Sequence, residues 1–162
     1  MEILIKKKLF KISKLKFSNI NKDYINSLNN QYINHPSKTI KNQKKYVKFI
    51  RKKKGELLEI TFKNKLIATS GFSIYKSKLF QGILIINKNF INKGYAKYFI
   101  LYSAIYANKI FKKKKIYAGI LNENINSKYS FINAGYKIIH KDKVGMYLVL
   151  NLNDILKKHI EY

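Results

Sequence analysis

The apolar residues in the middle of the chain change their spacing, and this change limits the folds that the chain can adopt. Residues 56–63 are apolar at every second position, the pattern of a strand with one buried face. A turn leads to a second strand at 66–76, and the run LFQGILIIN at 79–87 is apolar enough for a central strand buried on both faces. Residues 95–111 are apolar on nearly every side, which predicts a buried helix. Three antiparallel strands followed by such a helix indicate a sheet with helices packed against it.

The rest of the chain adds shorter elements on both sides of this unit. The predicted elements are a strand at 11–17, a helix at 23–28 capped by Ser18 or Asn21, a helix at 39–53 capped by Thr39, a strand at 115–121, a helix at 126–134, and a hairpin formed by 135–140 and 144–150. This order predicts an α/β (α+β) fold with helices on both faces of the sheet. Because 162 residues without a repeat or a change in composition suit one compact unit, we expect residues 1–162 to form a single domain.

Composition argues against several classes of protein. The chain has no Cys, so disulfides and Cys-based zinc sites are excluded, and its three histidines are too scattered to suggest a metal cluster. The N-terminus lacks the apolar core and the small-residue cleavage site of a signal peptide. The longest uncharged apolar stretch, residues 98–107, is about half of what a bilayer crossing needs. We therefore expect a cytoplasmic protein that binds no metal and does not span a membrane.

The net charge of +26, from 34 basic and 8 acidic residues, raises nucleic-acid binding as one function. Two features argue against it. Arg51 is the single arginine, although arginine is the residue that contacts guanine and phosphate through paired hydrogen bonds. The lysines are also spread along the whole chain and accompany many Ile and Asn residues. We interpret the charge as a compositional bias and keep RNA binding as the weaker alternative.

The segment ILIINKNFINKGYAKYFILYSAIY joins the buried strand to the buried helix through a loop that contains Gly94. The first turn of a helix carries N–H groups without intrahelical partners, and the macrodipole adds about half a positive charge there. Gly94 lets an anion approach the main chain because it has no Cβ, and Lys93 and Lys97 flank it. The pattern predicts a phosphorylated cofactor at the helix start, although taken alone it is equally typical of a plain turn.

A second motif, AGILNENINSKYSFINAGYKII, follows at residues 118–139. With both motifs the chain resembles the GNAT superfamily, and within it the branch of ribosomal-protein and nucleotide-sugar N-acetyltransferases. The first family pattern, Gln/Arg-x-x-Gly-x-Gly/Ala, matches at Gly94 and Ala96, whereas Ile91 replaces the usual Gln or Arg. The resemblance covers residues 57–150 well and the N-terminal third loosely. The second family pattern is an Asn, a Ser or Ala about three residues later, a Tyr or Phe after about seven, and Gly followed by Phe or Tyr after about eleven. The residues that fill it are Asn124, Ser127, Phe131, Gly135 and Tyr136.

The resemblance implies the GNAT fold, a mixed, mostly antiparallel twisted sheet of about six or seven strands with about four helices, splayed between the fourth and fifth strands. It implies acetyl-CoA as the donor and transfer of the acetyl group to a primary amine by direct attack in a ternary complex. A backbone N–H at the end of the fourth strand, assigned to Ile86, would hold the thioester carbonyl and then the oxyanion. The residues implied to bind coenzyme A are Leu84, Ile85, Ile86, Asn92, Lys93, Gly94, Tyr95, Ala96, Lys97, Asn124, Ser127 and Phe131.

The resemblance leaves the catalytic acid and base open. Many family members protonate the leaving thiolate with a tyrosine at the position of Phe131, which has no proton to give. Ser127, one helical turn earlier, is the candidate acid, with a simple cofactor hydrogen bond as its alternative role. The candidate bases are Asp23, Glu56 and Glu59, with Glu123 and His35 as weaker alternatives whose other roles are a solvated loop carboxylate and an incidental loop histidine. We favour a neutral amine that needs positioning alone, because proximity by itself supplies a large part of such a barrier.

The acceptor is assigned from residues 24–46, which are similar to acceptor-side helices of acetyltransferases from surface-polysaccharide pathways. An amino sugar on a nucleotide carrier is the acceptor that we favour, because Tyr32, His35 and Lys38 suit a diphosphate-linked sugar. A protein N-terminus, as in the ribosomal-protein branch, is the first alternative. A catalytically silent coenzyme A-binding module is the second alternative, and the sequence leaves a homodimer open.

Overall fold

Eight strands form one sheet in the order β1-β2-β3-β4-β5-β6-β8-β7. The structure is a computed structural model that describes residues 1–28 and 38–158. The strands are β1 (Glu2–Ile5), β2 (Lys8–Lys14), β3 (Glu56–Phe62), β4 (Lys65–Tyr75), β5 (Lys78–Ile85), β6 (Lys115–Leu121), β7 (Lys137–Lys141) and β8 (Gly145–Asn151). The helices are α1 (Lys22–Ser27), α2 (Ile40–Lys52), α3 (Ala96–Phe111), α4 (Ile125–Asn133) and α5 (Leu152–Lys158). Neighbouring strands are antiparallel except β5 and β6, which are parallel.

The predicted fold class is confirmed, with one more strand and one more helix than expected. Strand β1 and helix α5 were not predicted, and β2 begins at Lys8 rather than at residue 11. The four residues of β1 alternate between exposed and buried, with Ile3 and Ile5 in the core. Four residues are too few to show a clear alternation of apolar and polar residues in the sequence, and the lysines that follow them are not typical of a hairpin turn.

Three tight hairpins join successive strands, and each has a two-residue loop. The loops are Lys6-Lys7, Lys63-Asn64 and Lys76-Ser77, and all six residues have a positive φ, between 45° and 63°. Two left-handed residues in a two-residue loop are the pattern of a type I′ turn, which suits the twist of antiparallel strands. Lysine and serine are unusual in this conformation, and the sequence predicts one of these turns, at Asn64-Lys65, one residue later than the Lys63-Asn64 loop that the structure shows.

The sheet carries a helix layer and an apolar cluster on each face. On one face, α3 covers the larger cluster through Phe99, Ile100 and Ala104, which pack among Phe10 of β2, Phe72 of β4 and other strand residues. On the other face, α1 and α2 cover a smaller cluster. The buried members of the smaller cluster are Leu15, Ile20, Tyr24, Leu28, Val47 and Leu57. The sheet therefore separates the side on which α3 begins from the side that α1 and α2 cover.

Helices α1 and α2 begin at residues that cap them, as predicted. The side chain of Asn21 accepts a hydrogen bond from the N–H of Tyr24, and that of Thr39 accepts one from the N–H of Asn42. The apolar side chains of α2 are only partly buried, since Phe49 is 54% exposed while the polar Gln43 is buried. Capping depends on neighbouring residues and is readable from sequence, whereas the face of a helix that is buried depends on the sheet beneath it.

Candidate active site

Strands β5 and β6 separate after two residue pairs. They pair only at Leu79 with Ile116 and at Phe80 with Tyr117. Beyond these pairs β5 continues along β4 as far as Ile85, and β6 continues along β8. A gap therefore opens between the two strands. This is the predicted splay; the extra N-terminal strand makes it lie between the fifth and sixth strands.

The backbone N–H groups of β5 alternate between the gap and β4. The N–H of Ile86 donates to the carbonyl of Ile67 at 2.8 Å, which places it on the β4 side. Because directions alternate along an antiparallel strand, the N–H of Leu84 also faces β4, and those of Ile83 and Ile85 face the gap. The assignment of the oxyanion donor to Ile86 is therefore corrected. The groups available at the gap are the N–H groups of Ile83 and Ile85.

The start of α3 has no side-chain cap. Tyr95 occupies the N-cap position without accepting a hydrogen bond through its side chain, and the first turn contains no acidic residue. Gly94 before it has a φ of +72°, and Asn92 also has a positive φ, 56°. The N–H groups of the first turn therefore keep the open, positive character that an anion needs.

Lys6, in the first hairpin turn, adds a cation that the sequence did not place here. Its Nζ donates to the carbonyl of Lys93 at 2.7 Å and lies 5.0 Å from the ring centre of Tyr95. The φ of Gly94 favours glycine, and a Cβ built there would be 3.3 Å from this Nζ, a close approach that a small shift of the flexible Lys6 side chain would relieve. The contact joins residues 87 positions apart, and no local pattern indicates it.

Only part of the predicted loop presents its side chains to a ligand. Tyr95 is 6% exposed, and its ring packs against Phe99, Phe90 and Phe10, so its contribution is its backbone. Asn92, Lys93 and Gly94 are exposed, and Ala96 and Lys97 are partly exposed. The Nζ of Lys97 lies 5.0 Å from the ring centre of Tyr98.

The second motif forms the start of α4 and a buried contact behind it. Asn124 caps the helix, since its Oδ1 accepts a hydrogen bond from the N–H of Ser127 at 3.2 Å, and its side-chain NH2 remains a donor. Ser127 is partly buried on the first turn. Phe131 is 3% exposed and packs edge-to-face against Tyr136 at 5.0 Å, so its ring forms part of the core beneath the start of the motif, and its assignment to cofactor binding stays a prediction.

A buried polar network lies where the two strands begin to separate. Gln81 directly follows the last β5–β6 pair, and its Oε1 accepts a hydrogen bond from the hydroxyl of Tyr136 at 2.5 Å. Its Nε2 donates to the hydroxyl oxygens of Ser70 and Ser103 and to the carbonyl of Ile100. The network thus joins β4, β5, α3 and Tyr136, the residue directly before β7. Burial raises the pKa of Tyr136 well above its usual value, so the phenol stays protonated and keeps donating.

A cavity of about 570 Å³ opens over the gap on the face that α1 and α2 cover. Four tyrosines from four elements line it, and we call it the tyrosine cleft: Tyr24 of α1, Tyr46 of α2, Tyr75 of β4 and Tyr147 of β8. Burial, and then the neighbouring Tyr46, raise the pKa of Tyr24 to about 12, and burial also raises the pKa of Tyr46. Among the described lining residues none is charged.

A second cavity, of about 510 Å³, lies beside the tyrosine cleft and shares Leu84 with it. Asp23, one of the candidate bases, lines this cavity together with Ile85 and Ile86. Two other candidate bases, Glu56 and Glu59, hold the fold together. Glu59 accepts hydrogen bonds from Ser13, Asn19 and the N–H of Lys16, and Glu56 bonds Arg51 at 2.7 Å.

The predicted acceptor residues Tyr32 and His35 lie outside the described residues. Within residues 1–28 and 38–158, no group of three or more His, Asp or Glu side chains is arranged to hold a metal ion. Over the same residues, no helix is long and apolar enough to cross a bilayer.

Comparison with known proteins gives structural relatives only. No protein-family profile matches the chain, and no curated protein matches it. The structure resembles AAC(6′)-Ib in complex with paromomycin and acetyl-CoA, with a TM-score of 0.77 and 10% identity over 91% of this chain and 96% of that chain. It also resembles a mutant of the spermidine N-acetyltransferase SpeG from Vibrio cholerae, with a TM-score of 0.76 and 16% identity over 93% and 98%. A third similar structure is the N-acetyltransferase PseH from Campylobacter jejuni, with a TM-score of 0.62 and 15% identity over 88% and 97%.

These likenesses define the class of fold. At 10–16% sequence identity, the fold of this chain is similar to the folds of these three acetyltransferases. The chain therefore has the fold of the GNAT acetyltransferases. A fold does not by itself fix a reaction or an acceptor.

Proposed function

We propose that this chain is an N-acetyltransferase that moves an acetyl group from acetyl-CoA to a primary amine carried on a nucleotide-linked sugar. The observation that carries the proposal is the gap between β5 and β6, which leaves backbone N–H groups of β5 unpaired next to an uncapped helix start. Acetyl-CoA has the matching parts, since its pantetheine arm forms strand-like hydrogen bonds and its pyrophosphate is an anion. Residues 1–162 form the acyltransferase domain in this proposal.

The chain has a residue for each part of this donor. The N–H groups of Ile83 and Ile85 face the gap and would hold the pantetheine arm and the thioester carbonyl, where a fixed donor stabilises the developing oxyanion. The N–H groups of the loop at Gly94, with Lys6, Lys93 and Lys97 around them, would hold the pyrophosphate. Acetyl-CoA supplies the activated acetyl group when bound.

The side-chain NH2 of Asn124 and the hydroxyl of Ser127 are the next contacts in the proposal. Both residues lie at the start of α4, which directly follows β6, the strand on the far side of the gap. Ser127 carries an exchangeable proton and would donate it to the leaving sulfur, because Phe131 has none and is buried. Asp23 lines the cavity next to Ile85 and would accept the proton of the attacking amine, directly or through water.

The uncharged tyrosine cleft supports a sugar-like acceptor rather than a polycation. Spermidine and paromomycin, which are named with two of the similar structures, carry several positive charges. Polycations are usually held by carboxylates, but the described lining residues include none and residues 29–37 contain no Asp or Glu.

A thiol-release assay tests the proposal. Acetyl-CoA is mixed with the protein and one of three amines: a uridine-diphosphate-linked amino sugar, a peptide with a free N-terminus, or spermidine. We expect coenzyme A release above the rate without amine for the nucleotide sugar, and mass spectrometry should find one added acetyl group. Release with the peptide alone would favour the protein N-terminal alternative. Coenzyme A binding without release for any amine would favour the silent module.

A cytoplasmic location and a homodimer stay predictions from the sequence.

A further inference from the structure

Three glycines in the interiors of three adjacent strands face the tyrosine cleft. They are Gly71 of β4, Gly82 of β5 and Gly119 of β6. Gly71 and Gly82 lie directly opposite each other, and Gly119 lies opposite Tyr147 of β8. The three residues make a stretch of sheet without side chains at the base of the cleft, which we call the glycine floor.

The backbone does not require glycine at these three positions. Among the described residues, the glycines with a positive φ are Gly94 and Gly135. Within the part of the chain that the structure describes, a Cβ on Gly71 or Gly82 would meet no atom within 4 Å, and a Cβ on Gly119 would only touch the ring of Tyr147 at 3.8 Å. Each position has room for a side chain that the sequence leaves out.

Glycine is also a poor residue for the interior of a strand. It loses more conformational freedom on folding than any other residue and adds nothing to packing. Glycine inside a strand often marks a bulge, a tight bend, or a place where a ligand or another backbone comes close. The register is continuous through Gly71, Gly82 and Gly119, so no bulge explains them. That three such positions lie together over the gap, in a chain with 7 glycines in all, indicates that the space itself has a use.

We propose that the glycine floor is the platform for the acceptor, and that the acceptor carries its amine on an uncharged ring that lies flat against Gly71 and Gly82. This inference rests on the proposed acetyltransferase function and narrows its substrate class to ring amines such as amino-pyranoses. Adjacent strands lie about 4.8 Å apart, so the floor is at least two strands wide. A linear amine would be held by a narrower groove.

The walls of the cleft suit such a ring. The rings of Tyr75, Phe80 and Tyr147 surround the floor, and aromatic faces pack against the C–H faces of sugars while phenol hydroxyls bond their oxygens. Ile83, whose N–H faces the gap, lines the same cleft beside Gly82. An amine on a ring resting on the floor therefore lies next to the proposed site of the thioester.

Filling the floor tests the inference. Gly71→Ala and Gly71→Val add a small and a larger side chain one strand away from the gap, and Gly82→Val fills the opposite position. Lys11→Val adds the same side chain to an exposed position of β2 and serves as the matched control. For each variant we measure the melting temperature, coenzyme A affinity by calorimetry, binding of the nucleotide-linked amino sugar by calorimetry, and thiol release.

We expect Gly71→Val and Gly82→Val to melt no lower than the wild type and to keep its coenzyme A affinity. We expect them to lose sugar affinity, and kcat/KM for the sugar, by about tenfold or more, with Gly71→Ala intermediate. Lys11→Val should match the wild type throughout. Wild-type kinetics in both valine variants, a marked fall in their melting temperature, or no binding of the sugar by the wild type would each overturn the glycine floor.

The same measurements separate this inference from the proposed function. Sugar binding that is lost on filling the floor, in a protein that releases no thiol, would support the floor and refute the acetyltransferase. If the valine variants release thiol with a ring amine as fast as the wild type does, the acetyltransferase is supported and the glycine floor is refuted. Turnover of spermidine and not of the sugar would also refute the floor, since the floor is assigned to rings.

Discussion

Replacing Tyr136 with Phe removes one oxygen atom from the buried network at the point where β5 and β6 separate. Tyr136 is 2% exposed and its hydroxyl is the described donor to Oε1 of Gln81, which is itself 5% exposed. The variant leaves that buried oxygen without this donor and with no bulk water to replace it. Leaving a buried acceptor unsatisfied typically costs about 1–3 kcal/mol. For a chain of 162 residues, a loss of about 2 kcal/mol lowers the melting temperature by about 4–8 °C.

Urea unfolding followed by circular dichroism measures this loss, with Tyr129→Phe as the control. Tyr129 is 57% exposed, so the same chemical change there should leave the midpoint within error. Gln81→Leu removes the acceptor, while Ser103 keeps its bond to the carbonyl of Phe99. In the Gln81→Leu background, Tyr136→Phe should lower the free energy of unfolding by clearly less than it does in the wild type, because the side-chain oxygen of Gln81 is no longer there to lose its donor. An unchanged midpoint for Tyr136→Phe in the wild-type background would refute the role of the network.

Three further changes probe the donor site and the fold. Gly94→Glu should abolish coenzyme A binding in calorimetry with the fold retained, because its carboxylate repels the pyrophosphate. Gly94→Lys has the same left-handed strain without that repulsion and should bind coenzyme A better than Gly94→Glu. Equal affinities of wild type and Gly94→Glu would remove the phosphate loop from the site. Ser127→Ala should lower kcat more than coenzyme A affinity, with Ser130→Ala on the same helix as the control, and equal losses would make Ser127 a cofactor contact only. Because the pKa of Tyr24 is raised from 10.0 to about 12, its contribution to stability is complete below pH 10 and is lost as pH rises towards 12. Tyr24→Phe should therefore flatten the alkaline fall in unfolding free energy, and an identical fall in both proteins would contradict the raised pKa.

Features that depend on neighbouring residues could be predicted from the sequence. The strand before Gly94 and the helix after it follow from apolar spacing, and the caps at Asn21 and Thr39 follow from local side-chain chemistry. The left-handed conformation of Gly94 fits the absence of a Cβ. These features brought the loop into the candidate site, whereas the start of α4 entered it through the resemblance to the family.

Features that depend on strand register or distant contacts could not be predicted. The apolar run at 79–87 does not reveal which of its N–H groups face β4, and so Ile86 was assigned in place of Ile85 or Ile83. The acidic residue Glu59 has the same appearance in sequence whether it is a base or, as found, the acceptor of three hydrogen bonds. Lys6 reaches the loop only because β1 and β2 form a hairpin at the edge of the sheet.

The short pairing of β5 with β6 also divides the sheet mechanically. Strands β1 to β5 form one antiparallel block and β6 to β8 form another, and the strands of the two blocks meet at two residue pairs. Local opening at such a seam is opposed mainly by α3 and the Gln81 network rather than by a ladder of main-chain bonds. A ligand that bonds to both blocks stabilises their contact against local opening, and its binding should slow amide hydrogen exchange in both blocks at once.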